Sequence, residues 1–219
     1  MSVKNAIFDL DGTLVDSLPG IAWSVDEALR AAGLPVVSRE LRPLIGPPVR
    51  DILAAVSGVS DGGLLDRLER SFRFSYDAEG WRRTVCQPGV PDLLWRLLTS
   101  GVEMWLVTNK PALATGRIVS SLKIGGFFRE VVCRDSRAHA FHSKAEALVD
   151  LIERHGLERA GCLMIGDTAE DWRAAEDAGI RCAIVPGGYG AKALPAGCPR
   201  ICCWDELAEM CVGEVQVDA

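Results

Sequence analysis

Three short apolar runs in this chain each end in a polar cluster, and the clusters share one chemistry. The run at 3–8 is followed by Asp9-Leu10-Asp11-Gly12-Thr13, the run at 102–107 by Thr108-Asn109-Lys110, and the run at 162–165 by Gly166-Asp167-Thr168, with Asp171 four residues beyond Asp167. Lys144, one of only five lysines, opens a helical pattern. Carboxylates gathered on one rim repel each other, and each raises the cost of ionising its neighbours unless a cation neutralises them. Asp9, Asp11, Asp167 and Asp171 offer oxygen ligands with no His or Cys beside them, a set that suits Mg2+ better than zinc. Such an ion would offset the repulsion between an attacking carboxylate and a phosphate dianion. Amides around Asp11 and Gly12 could cradle phosphate oxygens, and Thr108 and Lys144 could add donors to a transferring group.

These clusters converge only if the apolar runs are neighbouring strands. The runs at 3–8, 102–107, 162–165 and 182–185 have the continuous apolar character of strands buried on both faces, with weaker ones at 130–133 and 200–203. Helical patterns at 91–99, 112–122, 144–155 and 169–178 alternate with them, and Gly179 stands as a C-terminal stop. The alternation predicts an α/β fold, a Rossmann-like and mainly parallel sheet with helices on both faces. In an open sheet of this kind, ligands bind beyond the carboxyl ends of the strands. Residues 16–86 break the rhythm with helical periodicity alone, at 21–32, 39–45, 49–56 and 64–76. About seventy residues exceed what a crossover needs, so 16–86 are expected to form a small inserted α-helical cap on a core made of 1–15 and 87–219. Hinges are expected near 16–20 and 86–89, and a frayed tail over 213–219.

Composition sets outer limits. The chain has 219 residues, is 48% hydrophobic and 25% charged, and carries a net charge of -6, which predicts a globular protein. That charge balance offers no basic footprint for nucleic acid. The opening MSVKNAIFDLDG enters the first strand without an apolar leader, and no run reaches the roughly 18 apolar residues of a membrane helix, so a cytoplasmic, membrane-free protein is expected. The eight cysteines contain no CxxC pair and read as buried free thiols, with the cluster from Cys198 to Cys211 matching no zinc spacing.

DLDGT at Asp9 to Thr13, VTN at Val107 to Asn109, Lys144, and GDTAED at Gly166 to Asp171 resemble the four ordered motifs of the haloacid dehalogenase superfamily. The resemblance spans essentially the whole chain, because the helical insertion sits where that superfamily carries its small helical cap. It implies that Asp9 attacks phosphorus to form an aspartyl-phosphate and that Asp11 protonates the leaving oxygen, then activates water. It further implies that Thr108 and Lys144 hold the phosphoryl oxygens with Asn109 assisting. Magnesium would be held by Asp9, the Asp11 main-chain oxygen and Asp167, with Asp171 acting directly or through water.

Within the superfamily, individual residues discriminate. Dehalogenases lack a carboxylate two residues after the nucleophile, so Asp11 argues for phosphoryl transfer. The segment 16–86 holds no lysine, against phosphonatases, and no histidine, against the similar sugar-phosphate mutases. Its LIGPPVRDIL segment and the TNKP at Thr108 to Pro111 resemble phosphoglycolate phosphatases, and Arg50 beside the Gly46-Pro47-Pro48 turn could meet a substrate carboxylate. Ala145 after Lys144 and the preceding CRDSRAHAFHSK, which contains His139 and His142, depart from the family pattern. The expected substrate is a small phosphorylated metabolite, and the expected state a monomer or homodimer. The alternatives are a pyrophosphatase, a nucleotide or sugar-phosphate phosphatase, or a non-catalytic relative that binds a phosphorylated ligand.

Overall fold

The computed structural model of the chain describes residues 3–36, 40–46, 48–190 and 194–212. Arg39, Pro47 and the expected frayed tail at 213–219 lie outside them. Two compact units emerge, one made of Met1–Val15 with Cys86–Ala219, the other of Asp16–Val85.

The first unit begins with β1 (Asn5–Phe8), and the chain passes from it to the second unit through β2 (Val15–Asp16). The second unit holds α1 (Leu18–Ala31), α2 (Val49–Ser57) and α3 (Gly62–Ala78), with short 3-10 turns at Arg42–Leu44 and Gly80–Arg83. The 3-10 turn is what the expected helix at 39–45 becomes among the described residues. The chain returns through β3 (Val85–Cys86), which pairs with β2, and continues as α4 (Val90–Thr99), β4 (Glu103–Thr108), α5 (Ala112–Ser121) and β5 (Val131–Cys133). Then follow α6 (Lys144–His155), β6 (Cys162–Gly166), α7 (Ala169–Ala178), β7 (Arg181–Ile184) and α8 (Trp204–Val212).

Five strands form one parallel sheet in the order β5-β4-β1-β6-β7. The expected sixth strand at 200–203 is reduced to a single bridge between Arg200 and Ile184. Registers place Ile7 opposite Trp105 on one side and Met164 on the other. Because side chains alternate across a strand, Ile7, Trp105, Val107, Met164 and Ile184 share one face, packed against Leu148, Leu151 and Ile152 of α6 and Ala174 and Ala175 of α7. Ala6, Phe8, Leu106, Leu163 and Ile165 occupy the other face and are fully buried. Each large side chain so buried stabilises the fold by about 1.5–3 kcal/mol. This two-sided burial accounts for strand sequences that are apolar throughout rather than alternating. The strand order reverses beside β1, which places the crevice for ligands at the carboxyl ends of β1 and β6.

In the second unit, α1 meets the chain's return at two glycines. A Cβ on Gly20 would strike the Gly80 carbonyl, and one on Gly80 would strike the Ser24 hydroxyl, so close backbone approach fixes both positions as glycine.

Candidate active site

The backbone at each strand end prepares the site. Asp9 follows β1 directly, and its N–H donates to the Ile165 carbonyl of β6 at 2.8 Å, which keeps the sheet zipped one residue past the strand. The chain then turns sharply at Gly12, whose φ is 89° and whose N–H donates to the Val15 carbonyl at 2.8 Å. A Cβ there would collide with the Asp167 carboxylate and the Tyr189 ring, so the turn requires glycine on two grounds. Helix α6 is capped by Ser143, whose hydroxyl accepts from the Glu146 N–H at 3.1 Å. Helix α7 is capped by Thr168 in a reciprocal box with Asp171. The two caps set Lys144 at the first position of α6 and Asp171 at the third of α7.

An ammonium at a helix N-terminus opposes the helix dipole. Lys144 is nonetheless buried there, and its Nζ donates to Asp9 Oδ1 at 2.7 Å and Asp171 Oδ1 at 2.5 Å. The second oxygen of Asp171 is engaged too, accepting from the N–H groups of Asp167 and Thr168 at 3.1 and 3.0 Å and from the Thr168 hydroxyl at 2.7 Å. Asp167 is fully buried. Its Oδ2 accepts from the N–H groups of Tyr189 at 2.6 Å and Gly190 at 3.3 Å, and its Oδ1 from the Thr13 hydroxyl at 3.3 Å. Glycine is again required next to these carboxylates, since a Cβ on Gly166 would overlap Asp171.

Across the rim, Lys110 Nζ donates to both oxygens of Asp11, at 3.0 and 3.1 Å. The Lys110 N–H donates to the hydroxyl of buried Thr108 at 3.2 Å. The Asn109 side-chain amide donates to Glu170 at 2.8 Å, linking the loop after β4 to the first turn of α7. Asp9, Asp11, Gly12, Thr108, Asn109, Lys144, Asp167 and Asp171 therefore all stand at the carboxyl edge of the sheet or at helix starts beside it. Arg50 belongs to the other unit. Its guanidinium donates to Asp66 at 2.6 Å, Glu69 at 3.3 Å and the Gly62 carbonyl at 3.3 Å, tying α2 to α3.

The electrostatics of the rim call for a cation. Burial, then repulsion from Asp171 and Asp167, holds the Asp9 carboxyl well above the usual carboxylate range despite Lys144. Burial and Asp171 push Asp167 up to about 6, against the opposing hydrogen bonds of Tyr189 and Gly190 and the charge of Lys144. Burial alone would lower Lys144, yet Asp171, Asp9 and Glu170 leave its ammonium well above the ordinary lysine value. One oxygen from each of Asp9, Asp167 and Asp171 lies within 4.8 Å of the others. The ammoniums of Lys110 and Lys144 answer only part of the carboxylate charge gathered here, and a bound cation would favour the ionised forms of Asp9 and Asp167. Oxygen-only donors fit a hard divalent metal.

Lys110 and Thr13 stand inside the motifs without a role assigned to them there, and the Tyr189-Gly190 loop after β7 lies outside the motifs. Lys110 carried a signal, being a scarce lysine directly after a strand-end hydroxyl. The loop carried only its glycines, because what it supplies to Asp167 is backbone. The cysteines are all unpaired. Cys133, Cys162, Cys182, Cys198 and Cys211 are buried and Cys202 and Cys203 exposed. Burial pushes the thiols of Cys182 and Cys211 up, as expected of inert core sulfurs. Among the described residues, no helix is long and apolar enough to cross a membrane.

Known proteins align with this arrangement. The sequence profile of the haloacid dehalogenase-like hydrolases matches residues 6–185. A phosphoglycolate phosphatase of Pseudomonas putida is 35% identical over 84% of this chain and 69% of its own length. Among solved structures, a predicted phosphoglycolate phosphatase from Haemophilus somnus superimposes with a TM-score of 0.84 at 25% identity, covering 95% of this chain and 98% of its own. Protein Tyrosine Kinase A of Mycobacterium tuberculosis does so with 0.83 at 29%, covering 97% and 99%. With a profile that spans most of the chain and a relative this similar, the protein belongs to the haloacid dehalogenase-like hydrolase family.

Proposed function

We propose that this phosphatase hydrolyses a small-molecule phosphate monoester in two steps at Asp9, with phosphoglycolate the first candidate substrate and Mg2+ the resident ion. The observation that carries the reading is the buried carboxylate of Asp9, held by Lys144, beside Asp167 and two residues from Asp11. A carboxylate held in so buried a place is costly to keep ionised, a cost that a chemical role accounts for. The names of the relatives support phosphoglycolate.

In the first step Asp9 attacks phosphorus, the bond from phosphorus to the ester oxygen breaks, and its electron pair leaves on that oxygen, which takes a proton from Asp11. In the second step water attacks phosphorus and gives a proton to Asp11. The bond to Asp9 breaks, and inorganic phosphate leaves. Lys144 and the Thr108 hydroxyl steady the phosphoryl oxygens, and Asn109 orients the loop between them. Asp9, the Asp11 main-chain oxygen and Asp167 would hold the ion, which supplies positive charge against the approaching phosphate. Asp171, which fixes Lys144, would add its charge and a further oxygen to the ion, directly or through water. Substrate choice falls to the helical unit, acting as a cap. Arg50 ties α2 to α3 through Asp66, Glu69 and the Gly62 carbonyl. The setting is cytoplasmic.

The test is phosphate release from phosphoglycolate, sugar phosphates, nucleotides and pyrophosphate, with and without Mg2+, beside Asp9→Asn. Release that needs both the metal and Asp9, fastest with phosphoglycolate, is the expected result. Absence of release from every ester by folded, metal-loaded protein would overturn the reading.

A further inference from the structure

Lys144 and Lys110 both grip an aspartate of the DxD pair, and only the first has a part in the scheme above. The Lys110 side chain is 7% exposed and that of Asp11 20%. Its ammonium meets both carboxylate oxygens at nearly equal distances, 3.0 and 3.1 Å, which fixes the rotation of the carboxylate as well as its position. The same residue's N–H holds the Thr108 hydroxyl oxygen at 3.2 Å, so that the hydroxyl hydrogen is left to point elsewhere. Lys110 is thereby connected to the acid/base on one side and to a phosphoryl donor on the other. It sits at the start of the loop after β4, and the Ala112 N–H that follows is anchored on Asp135 at 2.7 Å, so the ammonium is delivered from a fixed backbone.

A lysine that served only to balance charge could remain in solvent, where its ammonium is better hydrated and its side chain keeps its rotamers. Burying it with both oxygens of the Asp11 carboxylate in its grip is a geometric device. We infer that Lys110 is a positioning residue that aims the Asp11 carboxyl at the ester oxygen, through a two-oxygen grip, and so sets how well the enzyme expels poor leaving groups. This rests on the reading of Asp11 as the acid/base. Lys110 itself makes no contact with the reacting atoms in this scheme; its effect passes through Asp11.

Leaving-group dependence separates positioning from general damage. Departure of an alkoxide needs the proton from Asp11, whereas p-nitrophenolate departs without help. General acid catalysis is worth about 10²- to 10⁴-fold, and misaiming the acid forfeits part of it. The experiment measures kcat/KM of Lys110→Met, Lys110→Arg and Asp11→Asn for phosphoglycolate and for p-nitrophenyl phosphate, with circular dichroism to establish folding. Lys110→Met is expected to lose at least about tenfold more on the alkyl ester than on the aryl ester. Lys110→Arg, with a fork that can still span both oxygens, is expected to restore most of that difference. Equal losses on both esters, or no loss on either, would overturn the inference. If Asp11→Asn itself shows no preference for the aryl ester, the acid/base reading fails. If Asp11→Asn shows it and folded Lys110→Met does not, the reading stands and the role of Lys110 falls.

Discussion

The two units of the molecule treat charge in opposite ways. At the carboxyl edge of the sheet, Asp9, Lys144, Asp167 and Asp171 are buried, and each is held by named partners on other elements. In the helical unit, Arg50, Asp66, Glu69 and Arg73 form pairs at the surface, with side chains 24–54% exposed. Exposed pairs gain little, because water competes and long side chains lose freedom. Buried ones are costly to create and costly to break. Residues of identical chemical type are therefore locked into a buried cluster in one region and paired at the surface in the other, and position in the fold decides which.

The largest break in this contrast is Asp9→Asn. Loss of a nucleophile should lower kcat by about 10⁴-fold or more. The same change relieves repulsion with Asp167 and Asp171, so the metal-free variant should melt no lower than the parent. Activity assays and thermal unfolding of one preparation check both halves. A variant that is inactive because it is unfolded would defeat the argument.

Lys144→Met comes next. It leaves Asp9 and Asp171 facing each other without their shared cation, and breaking a buried pair in this way costs about 3–5 kcal/mol. Urea unfolding should show that loss, and metal-loaded protein should lose about 10²-fold or more in kcat. Gly12→Ala should follow at about 1–3 kcal/mol, since it imposes a positive φ on alanine and drives a methyl into Asp167. Denaturant midpoints would expose the error if the variant matched the parent.

A pH effect is smaller and has a fixed sign. Burial and the charge of Asp171 push the Asp167 carboxyl of the folded protein up from the ordinary 3.8 to about 6. Between those values the folded state holds more protons, so metal-free stability should fall as pH rises from about 4 to about 6 and stay low above. Saturating Mg2+ at pH 7 should reverse the loss. Calorimetric melting at pH 5 and pH 7, with and without the ion, tests this. A metal-free protein more stable at pH 7 would contradict it. Arg50→Ala should have the smallest effect of all, with the KM for phosphoglycolate unmoved. A large rise in that KM would return Arg50 to the substrate.

The α/β architecture was legible because two-sided burial writes itself as apolar runs, and because helix stops such as Gly179 are chemically explicit. What escaped has physical reasons. The pairs β2 and β3, two residues each, have no room for periodicity. Helix α8 follows Cys202-Cys203, is only 9 residues long and interrupts its apolar positions with Asp205, Glu206 and Glu209, so its buried residues, Leu207, Ala208 and Cys211, were too sparse to stand out. At the site, the side chains of the strand-end clusters announced themselves by type. The grip of Lys110 on Asp11 did not, because it depends on which way a flexible side chain turns. The Tyr189 and Gly190 amides on Asp167 left no trace in side-chain chemistry at all.

The contacts that build the site are among the most distant in sequence the molecule makes. Lys144 reaches Asp9 across 135 residues and Thr13 reaches Asp167 across 154. Contacts of such span form late and slowly. A chain lacking β6 and the loop beyond β7 would hold Asp9 with neither Asp167 nor the amides that cradle it, so the cluster around Asp9 closes only when those distant segments have folded onto β1.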